Sequence, residues 1–210
     1  MRYTNKVVAF IGVVLFLSAS WDGYGQSGIR VGITGGVNAG QLKNSINLTD
    51  RIWKYNAGLA FAKPLSGNFS LASELVYSKQ GSSIDGSQSN KLLTHFDYIA
   101  LPVLVRFSPV GKNVFLQAGG KFGYLLKGER LNTNNSSPND IPHLRQWDAG
   151  ALAGLGYRLG SHIVLDVRYY HGLAPLIKDH WILDGDLNPI LYGADRLVHR
   201  VWSMNLTYYL

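Results

Sequence analysis

Cysteine is absent from the 210 residues. Disulfide scaffolds, thiolate metal sites, cysteine redox chemistry and a lipoprotein anchor are therefore all excluded. Charge is scarce as well, at 16% of the chain, while 46% is apolar, a balance that excludes a disordered protein. Beyond residue 25 there is no hydrophobic run long enough for a membrane helix, which needs roughly 20 residues. The longest, Ile99 to Val105, is interrupted by Pro102. What the chain has in quantity is glycine (24), tyrosine (12) and a net charge of +7. Abundant glycine and aromatics with little charge favour β architecture. The basic surplus suits an anionic partner, nucleic acid or a membrane surface.

The N-terminus reads as an export address. Arg2 and Lys6 precede an apolar run from Val7 to Leu17, followed by Ser18, Ala19 and Ser20. A positive start, a short apolar stretch and a small-residue exit make a secretory signal peptide. An uncleaved N-terminal anchor is the alternative, but the run is short for a span. Cleavage fits after Ser20 or after Gly25. The expected division is a removed signal over 1–25 and a single domain over 26–210.

From there the recurring pattern has period two, the signature of strands with unlike faces. In 114–127 the even positions, Val114, Leu116, Ala118, Phe122, Tyr124 and Leu126, are mostly apolar. The odd ones include Gln117, Gly119, Lys121, Gly123 and Lys127. In 146–159 an odd set running from Trp147 to Leu159 opposes Gln146, Asp148, Gly150, Leu152, Gly154, Gly156 and Arg158. The same division holds in 29–40, 53–64, 69–80, 94–107, 162–173 and 197–210, giving eight strands. Their links alternate in length. Leu65–Asn68, Pro109–Asn113 and Gly160-Ser161 are tight turns, whereas 42–52, 81–93, 129–145 and 174–195 are long and polar. An even strand count with short turns at one end and long loops at the other is the rule for outer-membrane barrels.

A soluble eight-stranded barrel shares the period, so charge must discriminate. Glu74, Arg106, Lys121, Asp148, Arg158, Asp166 and Arg168 lie on the same face as nearly all the strand glycines. Paired charges are tolerable inside a polar lumen but ruinous in a dry ligand cavity. The apolar face therefore points to lipid. Its aromatics form two belts, as interfacial girdles do. Trp53, Tyr55, Tyr77, Tyr124, Trp147 and Trp202 lie toward the long loops. Phe61, Phe69, Phe107, Phe115, Tyr157 and Tyr208 lie toward the short turns. His171 and Arg200 break the apolar face near the outer rim, where the penalty is small. The expected fold is all-β, an eight-stranded antiparallel up-and-down transmembrane β-barrel.

The segment Asp97-Tyr98-Ile99-Ala100-Leu101-Pro102-Val103-Leu104-Val105-Arg106-Phe107 resembles the Tyr…Pro-x-Leu-x-Lys/Arg-aromatic hallmark of the PorT-type outer-membrane β-barrel family. Phe69 to Gly81 is similar to that family's third strand, and Gly156 to Tyr169 to its sixth-to-seventh hairpin. The resemblance spans essentially all of 26–210. It implies the cell outer membrane of a Gram-negative, Bacteroidetes-type cell, and a link to secretion through the family's name-giving member. It assigns no activity. The terminal Tyr208-Tyr209-Leu210, with alternating apolar residues before it, looks like an insertion signal for the barrel-assembly machinery.

Candidate chemistry is thin. The stretch Gly32-x-x-Gly35-Gly36-x-x-x-Gly40 lacks the Gly-Lys-Ser/Thr ending and the following helix of a phosphate loop. Gly150-x-x-x-Gly154-x-Gly156 has strand rather than helix periodicity. His95, His143, His162, His171, His180 and His199 show no metal-ligand spacing. The Asp184-Gly185-Asp186 tract reads as a solvated turn rather than an oxygen cage. No cofactor, metal or catalytic set is expected.

The expected constellation is a barrel-interior charge network of Arg30, Glu74, Arg106, Lys121, Asp148, Arg158, Asp166 and Arg168. Its acids would pair with the bases, and surplus bases would turn to carbonyls, tyrosines or water. An eight-stranded lumen is nearly filled by side chains, so a diffusive pore is not expected. The functional expectation is a non-enzymatic outer-membrane barrel, structural or binding a protein partner through 129–145 and 174–195. Alternatives are an outer-membrane enzyme with a rim site at His95 and Asp97, and a narrow channel. Nucleic acid is not an expected partner, because the basic charge lies in the lumen and at the rims. Outer-membrane lipid is.

Overall fold

A computed structural model describes residues 28–43, 50–85, 91–109, 113–132, 135–141, 144–177, 180–183, 189–192 and 197–210. The signal-peptide reading over 1–25, His143 and the Asp184-Gly185-Asp186 tract lie outside the described residues.

Eight long strands make the wall: β1 (Arg30–Lys43), β2 (Asp50–Pro64), β3 (Phe69–Asp85), β4 (Lys91–Phe107), β5 (Val114–Asn132), β7 (Trp147–Leu159), β8 (Ile163–Gly172) and β11 (Val198–Tyr209). Three short strands belong to the connections: β6 (Asn135–Asp140) folds back on β5, while β9 (His180–Leu183) and β10 (Pro189–Tyr192) form a separate hairpin. Each wall strand pairs antiparallel with its neighbours in chain order. The ring closes where β1 meets β11, from Gly32 opposite Tyr209 to Lys43 opposite Val198. No edge is left open in the wall, the condition for crossing lipid with strands. At the turn between β7 and β8, Gly160 has φ +66°, a left-handed conformation that glycine adopts without a Cβ penalty.

Alternation in sequence becomes alternation in space. On β8, Val164, Asp166, Arg168 and Tyr170 are buried, while Ile163 and Leu165 are exposed. On β11, Val201, Asn205, Thr207 and Tyr209 point inward, and Trp202, Met204, Leu206 and Tyr208 outward. Met204 is 57% exposed and Leu155 58%. Large apolar side chains cover the outside, as a lipid-facing wall requires.

Three expectations need correction. Phe115 does not join the short-turn belt but is fully buried inside the barrel, against Ala60, Val164 and Tyr209. Its odd position in β5 belongs to the inward set, and the guanidinium of Arg106 lies over its ring at 4.8 Å. Lys127 does not face inward. Asp97 pairs with Lys127 while the next residue, Tyr98, pairs with Leu125, so Leu126 is an extra residue that reverses the alternation. The Lys127 side chain is 57% exposed as a result. Finally, β3, β4 and β5 run 17, 17 and 19 residues. They project past the long-loop belt and absorb much of the loops expected over 81–93 and 129–145.

Candidate functional site

The lumen is packed in layers. Toward the short turns, Arg106 donates from Nε to Gln117 Oε1 at 3.2 Å and from Nη1 to the Tyr209 hydroxyl at 3.2 Å. Arg158 donates to Ser108 Oγ at 2.9 Å and lies 5.1 Å over the Phe115 ring. Arg30 donates to the Ser161 carbonyl and stacks 4.8 Å over Tyr209.

The central layer is ionic. Arg168 grips Glu74 with both ends of its fork, Nη1 to Oε2 at 2.8 Å and Nη2 to Oε1 at 2.6 Å. Nη2 also reaches Asp166 Oδ2 at 2.7 Å, and Arg106 Nη2 lies 4.0 Å from the same carboxylate. Bidentate guanidinium–carboxylate pairing is among the strongest hydrogen-bond arrangements available to side chains.

An amide chain leads away from this layer. Asn205 Nδ2 donates to Asp166 Oδ1 at 3.0 Å, and Asn56 Nδ2 donates to Asn205 and Asn38 at 3.0 and 2.9 Å. Asn38 in turn donates to Ser78 Oγ at 3.1 Å. The path crosses the lumen and ties β8, β11, β2, β1 and β3 to one another. A cavity of about 40 Å³ borders Asn38, Asn56, Ser78, Lys121, Arg168 and Asn205. It offers room for only about two or three waters.

Nearer the long loops, Lys121 Nζ stands 3.8 Å from Asp148 Oδ2 and 3.4 Å above the centre of the Tyr170 ring. The Tyr98 hydroxyl meets His199 Nε2 at 3.1 Å. Above them lies an apolar cap: Leu42, Phe96, Tyr98, Leu125 and Leu176, with Ile141, Leu144 and Leu197 packed on it. Backbone bonds pin the connections into place, from Leu125 N to Gln146 O (2.8 Å), Arg145 N to Leu176 O (2.8 Å) and Leu176 N to Leu197 O (2.9 Å). Gly128 leaves the space that Leu144 occupies, because a Cβ there would collide with Leu144 Cδ1. Gly128→Leu should therefore unseat the cap at a cost of about 1–3 kcal/mol. The check is amide exchange: protection at Leu125 and Leu176 should fall at least tenfold, with Leu104 unchanged.

The eight sequence-derived charges divide among these layers. Glu74, Arg106, Asp166 and Arg168 form one buried cluster, Lys121 and Asp148 a second, and Arg30 and Arg158 lie toward the short-turn end. Sequence reasoning missed Asn38, Asn56 and Asn205. Their signal was an amide at an inward position on each of three consecutive strands of the wall, β2, β1 and β11. The rim histidines do not converge. His199 is inside, His171 lies on the outer wall beside Tyr169 at 6.4 Å between rings, and His95 lines a notch with Asp97. Among the described residues, no three His, Asp or Glu side chains are grouped to hold a metal.

No functionally curated protein matches the sequence. Among solved structures, Neisserial surface protein A superposes with a TM-score of 0.53 at 11% identity, over 87% of this chain and 99% of that one. Ail, the attachment invasion locus protein of Yersinia pestis, gives 0.48 at 13% identity, over 86% and 98%. OprG of Pseudomonas aeruginosa gives 0.44 at 14%, over 87% and 94%. At such identities the first of these speaks for the fold alone. The family model for the outer membrane protein beta-barrel domain matches residues 20–178. With a closed eight-stranded wall, an apolar exterior and a charged interior, the chain belongs to that outer-membrane β-barrel family.

Proposed function

We propose that this protein is a non-enzymatic, non-conducting outer-membrane barrel that serves as a rigid anchor and presents its long connections to a protein partner outside the cell. The observation that carries the reading is the occluded lumen. The Glu74–Arg168–Asp166 layer and the apolar cap over Leu42, Phe96 and Leu125 block the axis at two levels. The β9–β10 hairpin supports the docking part. It pairs Ile182 with Ile190 and Trp181 with Leu191 in the longest connection, and tryptophan is among the residue types enriched at the hot spots of protein interfaces. The resemblance to PorT-type barrels points to a partner in secretion, and the alternating C-terminal residues suit the barrel-assembly machinery.

Planar-bilayer recording of the refolded protein tests the reading. The expected record is the bare-bilayer baseline under applied voltage. Discrete, protein-dependent openings would overturn the sealed-anchor reading in favour of a narrow channel.

A further inference from the structure

The outer wall carries a feature that anchoring does not explain. One extra residue of β2 between Arg51 and Asn56 interrupts its pairing with β3, and the Leu126 bulge interrupts β5 beside it. Between these irregularities opens a notch of about 50 Å³ lined by Lys54, Lys79, Gln80, His95, Asp97, Lys127 and Glu129. Its position is set by the girdle. Tyr55 and Tyr77 belong to the long-loop belt, and Lys79 follows Tyr77 by two residues, about 6–7 Å along the strand. That height is the headgroup zone, which extends roughly 5–8 Å beyond the hydrocarbon on each side.

The charges in the notch are not balanced. Asp97 is already engaged, accepting from the Tyr77 hydroxyl at 2.8 Å and facing Lys79 Nζ at 3.8 Å. Glu129 is held by Lys127 at 2.5 Å. Lys79 also leans on the exposed Tyr55 ring, 5.8 Å from its centre. Lys54 has no ion-pair partner among the described residues, which leaves one positive charge uncompensated. The imidazole of His95 responds to that field. Burial first, then Lys54 and Lys79, hold it below the ordinary histidine range, against the opposite pull of Asp97 and Glu129. On the floor, Gln80 is 2% exposed and its Oε1 lacks a hydrogen-bond partner among the described residues. It is an acceptor waiting for a donor.

We propose that the notch between β2, β3, β4 and β5 binds the phosphorylated amino-sugar headgroup of an outer-leaflet lipopolysaccharide. Phosphate meets Lys54, Lys79 and Lys127, and a sugar hydroxyl or amide N–H donates to Gln80 Oε1. A phosphorylated sugar supplies both anion and donor, whereas a simple phosphodiester supplies only the anion. The site is continuous with the apolar wall, so the acyl chains would lie along it below Trp53 and Tyr55. The notch opens on the outer wall, and only its floor residue Gln80 also borders the lumen cavity; the proposal does not depend on the sealed-anchor reading, since an open pore could carry the same notch.

The test uses the protein in phosphatidylcholine vesicles with or without lipid A, and with phosphatidylmethanol as the anionic phosphodiester lipid that has no headgroup donor. Bound lipid is counted by mass spectrometry after extraction, and folding is checked by heat-modifiable migration. A juxtamembrane lysine is worth about fivefold in anionic-lipid affinity. K54Q/K79Q/K127Q should therefore lose lipid A by on the order of a hundredfold, while K54R/K79R/K127R should retain it. In the unmodified protein, lipid A should raise the His95 titration midpoint read by NMR. A loss below tenfold in the glutamine variant, an unmoved His95 midpoint, or equal retention of phosphatidylmethanol would each overturn the proposal. Should the glutamine variant fail to fold, the arginine variant and the His95 titration decide it.

Discussion

Arg168→Ala should lower the unfolding free energy by about 3–5 kcal/mol. Arg168 is 3% exposed and supplies the fork that holds Glu74 and Asp166. Its removal leaves two buried carboxylates: Asp166 keeps Asn205 Nδ2 at 3.0 Å and Arg106 Nη2 at 4.0 Å, while Glu74 loses both bonds of the fork. The cost is that of the orphaned charges, not of the bonds counted singly. Glu74→Ala and Arg106→Ala should each destabilise for the same reason. A double replacement, R168M/E74L, should cost far less than the two single losses together, because it strands only Asp166 rather than a pair of charges. Urea titration in lipid vesicles, followed by tryptophan fluorescence, reads all four. If Glu74→Ala and Arg106→Ala both leave unfolding unchanged, the ionic layer is not what fills and fixes the lumen.

The second large effect separates a lipid-facing wall from a water-facing one. Val103 points outward from the middle of β4, between the belt level at Ile99 and the Phe107 ring near the short turns, and is 37% exposed. On a soluble barrel, arginine at such a surface position would cost within about 0.5 kcal/mol. In a bilayer the same Val103→Arg change should cost about 2–4 kcal/mol. Leu173, just past β8 toward the long loops and 64% exposed, provides the control. Leu173→Arg should cost about 0–1 kcal/mol. Equal, negligible costs at both positions in vesicles would place water, not lipid, against Val103.

The sequence made the fold legible because two physical signals reinforced each other. Period-two alternation located eight strands, and the charges gathered on the glycine-bearing face told which side was inside. The error at Lys127 has a plain cause: a single inserted residue is invisible to a periodic reading. Leu126 bulges out, and every later position of β5 changes face, so Lys127 turned from lumen to wall. Phe115 was assigned by its chemistry rather than its parity, and its parity was right. The interior also holds more apolar surface than polarity alone suggested. Leu104, Leu152, Val164 and Val201 are all inside, because a lumen this narrow excludes water and must be filled at packing density. Charge types were readable but partners were not. Pairing depends on which strands face each other across the barrel, and Glu74 meets Arg168 across 94 residues of chain.

The central claim is that lipid covers the outside and that bulk water does not enter the inside. Nuclear magnetic resonance of methyl-labelled protein in micelles tests both halves together, with a lipid-soluble and a water-soluble paramagnetic agent. The account predicts that the lipid-soluble agent broadens Val103, Leu155 and Leu206, and that neither agent reaches Leu104, Leu152 or Val201. Broadening of Leu104, Leu152 and Val201 by the water-soluble agent, or of Val103 and Leu206 by that agent alone, would contradict it.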